Sequence, residues 1–94
     1  MSEASEDSEM IIRRAVFGQE VEQFMNSSVG QYMQSRAKDL EASALRSLRA
    51  CDPENAGLVR RHQSEAKLAE MVTQWLEDAV IDGLQALQIL DDRE

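Results

Sequence analysis

Chemistry on a substrate would have to come from Cys51, from His62, or from carboxylates gathered near one another. Nucleophilic catalysis by Cys51 needs an adjacent base, and His62 is the single histidine of the chain. The spacing puts Cys51 at a turn between helices and His62 well up the returning helix, so their side chains are not expected to meet. Cys51 reads as a half-buried turn residue and His62 as a surface or boundary residue. One cysteine and one histidine cannot close a zinc site. Helical di-iron sites use paired Glu-x-x-His motifs, whereas the residue three before His62 is Val59. Asp78 and Asp82 share a helix face beside Glu77, and with no pocket or partner base in view they read as the wet side of an amphipathic helix. Gly18, Gly30, Gly57 and Gly83 are isolated, so no glycine-rich phosphate loop exists. This inventory predicts no catalytic residue, no metal and no cofactor.

Composition narrows the class further. The 94 residues carry 18 acids and 10 bases, a net charge of −8, which suits one small domain. A lone cysteine excludes an intrachain disulfide and fits a reducing compartment. No apolar run approaches the roughly 20 residues that span a bilayer, so no membrane partner is expected. The acidic opening is the opposite of a secretory leader. Residues 1–9 contribute −4 and the last four contribute −2, while residues 10–90 are nearly balanced with 11 acids and 9 bases. The expected organisation is a disordered acidic leader over 1–8, a single helical domain over 9–90, and an acidic tail over 91–94.

From Met10 onward the apolar period is helical and no β-type alternation occurs. The chain therefore reads as all-α, with three helices. The first, about 9–25, is interrupted by Gly18, which is expected to loosen it, and ends at Asn26-Ser27-Ser28. The second, about 29–50, has a stripe at Val29, Met33, Ala37, Leu40, Ala44 and Leu48. Asp52 is read as the cap of the third helix, with Pro53 at its first position, and that helix runs to about 90. The short turn makes helices two and three an antiparallel hairpin. At 1.5 Å per residue helix three spans roughly 57 Å against about 33 Å for helix two. Either helix one covers the second half of helix three, or it folds back on the hairpin. In the first arrangement Phe17, Val21 and Phe24 meet Trp75, Val80 and Leu84 where Gly83 permits close approach.

What remains is binding. Phe17, Phe24, Trp75, Leu76, Val80, Leu84 and Leu87 are the candidate core or interface anchors, because residues 71–90 show apolar side chains on more than one face. Trp75 suits a core as well as an interface. Arg46, Arg49, Arg60 and Arg61 flank the hairpin turn as a basic tip. The acidic remainder and the lack of aromatics at that tip argue against nucleic acid as the main partner.

The succession Phe17-Gly18, Val21-Glu22-Gln23-Phe24, Val29-Gly30-Gln31-Tyr32, Arg36-Ala37, the Asp52-Pro53 turn and the run from Trp75 to Leu84 resembles small all-helical proteins of tailed bacteriophages and prophages. The likeness covers Val16 to Leu90 and lies in spacing, with no catalytic signature. It implies a virion structural or assembly accessory, in the infected bacterial cytoplasm or in the virion, partnered by copies of itself or by a phage structural protein. It transfers no active residues. The competing readings are a small acidic inhibitor of a host nuclease or defence protein, presenting carboxylates in place of DNA phosphates, and a weak nucleic-acid-binding hairpin. A DNA mimic should spread its acids along its length, whereas here the folded part is nearly balanced and the acidic excess lies at the ends.

Overall fold

A computed structural model of the chain describes residues 2–93, with side chains described from Glu6 onward. Among the described residues there are three helices and no strand: α1 (Ser2–Asn26), α2 (Ser28–Ala50) and α3 (Ala56–Asp92). The all-α reading with a hairpin and one further helix is what the chain adopts.

Local chemistry sets each boundary. The Ser27 amide and hydroxyl both donate to the Phe24 carbonyl, at 3.1 and 2.6 Å, which uses up the acceptor exposed at the end of α1. At the end of α2 the Cys51 amide donates to Ser47 O at 3.0 Å and its thiol to Leu48 O at 3.2 Å. The turn that follows departs from the expected cap. Pro53 is not helical: Asn55 N–H donates to Asp52 O at 3.0 Å and Glu54 N–H to the Asp52 carboxylate at 3.0 Å, a β-turn with proline at its second position. Asn55 is the cap instead, because its side-chain oxygen accepts from Leu58 N–H at 3.2 Å while its carbonyl accepts from Val59 N–H at 3.0 Å. Asp52 spends its carboxylate on the turn, so α3 starts at Ala56 rather than 53.

Helix also reaches further at both ends than expected. α1 begins at Ser2 rather than near residue 9, and acidic and small polar residues suit a helix N-terminus. Met1 and the side chains of residues 2–5, part of the leader expected over 1–8, lie outside the described residues. α3 carries on through Asp91 and Asp92, and Glu94 lies outside the described residues.

The chain divides into two compact units: residues 1–27 with 76–94, and residues 28–75. In the first unit α1 runs antiparallel to the last part of α3, as the pairs Ser8–Arg93, Arg14–Asp82 and Gly18–Gly83 show. Gly18 is therefore a contact and not a loosened point. A Cβ built on it would stand 2.7 Å from Gly83 Cα and 3.0 Å from Ala79 O, and one on Gly83 would stand 2.7 Å from Gly18 Cα. Beside the crossing, Ile11, Ala15 and Ala86 are buried, with Leu87 and Leu90 packed on them.

In the second unit α2 pairs with α3 up to Trp75. The positions withdrawn from water on α2 include Gly30, Gln34, Ala37, Glu41, Ala44 and Leu48, at steps of four and three, and on α3 they include Val59, His62, Ala66, Ala69 and Thr73. The expected stripe thus turns one edge inward. Ala37, Ala44 and Leu48 face the seam, while Val29, Met33 and Leu40 stay exposed, because the small side chains let the helices approach.

Two substitutions of one type should act in opposite directions. Gly83→Ala should lower stability by about 1–3 kcal/mol, since backbone must move to admit the methyl group. Gly57→Ala meets only the Asn55 side chain at 3.9 Å, and should stabilise by about 0.5–1 kcal/mol through a less disordered unfolded chain. Asn55→Ala should cost about 1 kcal/mol. Chemical denaturation followed by helical circular dichroism checks all three.

Candidate functional site

In the unit of α1 and the end of α3, one ion pair stands over the glycine crossing. Arg14 Nε donates to the two Asp82 carboxylate oxygens at 3.2 and 3.0 Å, and its Nη2 donates to Oδ1 at 2.8 Å. The guanidinium fork fits a carboxylate in this geometry and fixes the register of the helices at the point where they come closest. The hydrogen bonds from Arg14 hold the Asp82 carboxyl below its ordinary range, against the opposing effect of partial desolvation. The same bonds raise the Arg14 guanidinium above its ordinary value. Asp82 is thus a structural anchor, not merely part of a wet face, and Arg14 is a residue that amphipathic reading passes over. The available signal was the Arg13-Arg14 pair in a helix whose other charged residues are all acids.

The candidate anchors separate into two groups. Phe17, Trp75 and Leu84 are 58, 60 and 56% exposed, so none is core within this chain. Phe24, Leu76, Val80 and Leu87 are half-buried, and Leu87 packs on the buried cluster. Phe17 and Leu84 do not form the expected core, because the glycines and alanines take the close positions and leave these large side chains outside. An open groove beside the crossing is lined by Ala15, Gly18, Gln19, Val80 and Leu84 among others.

At the hairpin turn Arg46, Arg49, Arg60 and Arg61 are all exposed, and Arg61 donates from Nε to Glu65 at 3.2 Å. That leaves a small basic end. Cys51 is half-buried with its thiol turned onto Leu48 O. His62 is mostly buried, and its Nδ1 has no hydrogen-bond partner, with Glu65 Oε2 3.8 Å away. Among the described residues no group of three or more His, Cys, Asp or Glu is placed to hold a metal ion, and no helix is long and apolar enough to cross a membrane.

Charge is divided unevenly between the two units. Residues 1–27 with 76–94 carry 12 acids and 3 bases, net −9, whereas residues 28–75 carry 6 acids and 7 bases, net +1. The hairpin is nearly neutral and the other unit holds the acidity.

Comparisons with protein-family models, with curated proteins and with solved structures find no match to this chain.

The ion pair predicts a pH dependence of defined sign. A carboxyl whose folded pKa is depressed adds stability in full above its unfolded value, 3.8, and loses it as pH falls through the folded value. Asp82→Asn should therefore lower the melting temperature at neutral pH. The gap to the natural chain should narrow steadily between about pH 5 and about pH 3. A gap that stays constant over that range would show that the pair contributes no pH-linked stability.

Proposed function

We propose that this chain is a non-enzymatic interaction protein that works by helix packing, with copies of itself or with a larger assembly. The observation that carries this reading is the inversion of its apolar residues. Five residues are buried as core, four of them alanine, while fifteen large hydrophobics from Met10 to Ile89 remain exposed. Scattered exposed leucines are ordinary on a protein surface, but a chain that exposes most of its large side chains and buries alanine is furnished for contact with another surface.

The finer reading rests on the resemblance of Val16–Leu90 to small helical tailed-phage proteins. On it, the assembly is a virion or its precursor, and the chain is a structural or assembly accessory found in the infected bacterial cytoplasm or in the particle. Helix packing suits that role, since an accessory of this size contributes surface rather than chemistry. The division of charge speaks against a DNA mimic, because the excess of acids sits in one unit and the hairpin is near neutral.

The test is isolation of the tagged chain from infected cells at mid-assembly. Co-isolation with capsid or portal components in fixed stoichiometry is the expected result. Recovery with a host nuclease in place of virion proteins would favour the inhibitor, and turnover of a substrate by the pure chain would contradict the proposal outright.

A further inference from the structure

We propose that the trough between α1 and the end of α3 is a docking groove for a basic amphipathic helix of a protein partner. Lysines or arginines of that helix reach the Glu22 and Glu77 carboxylates while its apolar face lies on Val80 and Ile81. The inference rests on the helix-packing reading above and gives the partner its chemistry.

The groove lies within one unit. A cavity of about 310 Å³ is lined by Glu22, Met25 and Asn26 of α1 and by Glu77, Val80 and Ile81 of α3. A second, of about 100 Å³, shares Glu22 and Val80 and carries on past Gln19 and Leu84 to Leu87. The two are therefore continuous. From Glu77 to Leu87 the trough follows about 15 Å of α3, which matches about three turns of a docked helix.

The glycine crossing shapes it. Nothing projects from the seam where Gly18 meets Gly83, and Val80, Leu84 and Leu87 each stand one residue after Ala79, Gly83 and Ala86 to wall the trough. The same register places Ile12, Val16 and Asp91 on this flank. Arg14 and Asp82, each one residue before Ala15 and Gly83, bridge the other flank. The trough is the flank that no ion pair closes.

Charge selects the occupant. This unit carries net −9, and its three bases are Arg13, Arg14 and Arg93. None of them lines the trough. Arg14 is committed to Asp82 and Arg93 to Ser8 Oγ at 3.2 Å, while Arg13 stands about 13 Å along α1 from Glu22. Among the described residues, the side chains of Glu22 and Glu77 have no hydrogen bond or ion pair. An anionic segment would be repelled, and an uncharged helix would cover two carboxylates without pairing them, which is costly. A lysine or arginine satisfies both surfaces at once, with its methylene stem on the apolar floor and its cation at the carboxylate.

The test titrates the full chain with a capped helical peptide of about 14 leucines and lysines in amphipathic order, by calorimetry and by backbone amide shifts. Saturable one-to-one binding is expected, with shifts confined to residues 19–26 and 77–87. The same peptide with glutamate in place of lysine should not bind. Glu22→Gln with Glu77→Gln should weaken binding at least about tenfold, and Ile81→Ser by a similar factor. Glu6→Gln with Glu9→Gln removes the same two charges from the far end of α1, and should weaken binding less than about threefold. Equal losses from the two pairs would mean attraction by bulk charge, and would overturn the proposal, as would unsaturable binding or shifts elsewhere. If a variant loses helix, the shift map of the natural chain decides. Shifts at these residues that grow with chain concentration alone would make a second copy the occupant and overturn a separate basic partner. A chain that takes no peptide yet co-isolates with virion proteins would refute this groove and leave the wider helix-packing reading standing.

Discussion

The contact of Gly18 with Gly83 governs what the rest of the first unit can do. With no Cβ on either side the two backbones approach until an added methyl would stand 2.7 Å from the opposite Cα. At such a distance only small residues fit alongside, and Ala15, Ala79 and Ala86 line the approach. Large side chains are displaced outward by the same geometry that makes the contact close. Dispersion between tightly apposed backbones replaces some of the stabilisation that larger buried side chains would supply. Arg14 and Asp82 add a directional clamp, so that a packing made of featureless small residues still has one register.

The hairpin repeats the principle with alanine. Ala37 and Ala44 on α2 and Ala66 and Ala69 on α3 hold the seam, and Gln34, Glu41 and His62 share it. A seam with that much polar content and so little apolar volume is weak as a core, since stability scales with apolar area removed from water. The apolar area is present in the chain, but much of it stands outside the seam, with Leu68, Val72 and Trp75 exposed.

Much of the fold was legible in the residues. The 3.6-residue apolar period separated three helices and the serine-rich break lay where α1 ends, while the unequal helix lengths left open whether α1 covers the second half of α3 or folds back on the hairpin. Two things were not legible. Asp52 and Asn55 both have side chains that accept hydrogen bonds from backbone amides, and only the turn around Pro53 decides that Asp52 closes the turn while Asn55 caps the helix. More consequentially, a hydrophobic stripe states which side chains avoid water but not which edge of the stripe its neighbour meets. Large residues are expected inward on transfer energy alone. Here Gly18, Gly83 and the alanines offer closer backbone approach, and Phe17 and Leu84 consequently face out. A lone glycine in a helix reads as a weak point until its partner on another helix is known, and Gly83 lies 65 positions away.

The most direct test of this account is a nuclear Overhauser spectrum of the natural chain, examined at the α-protons of Gly18 and Gly83. Strong cross-peaks between those protons are expected. Absence of the glycine–glycine cross-peaks would mean that the small-residue crossing does not exist.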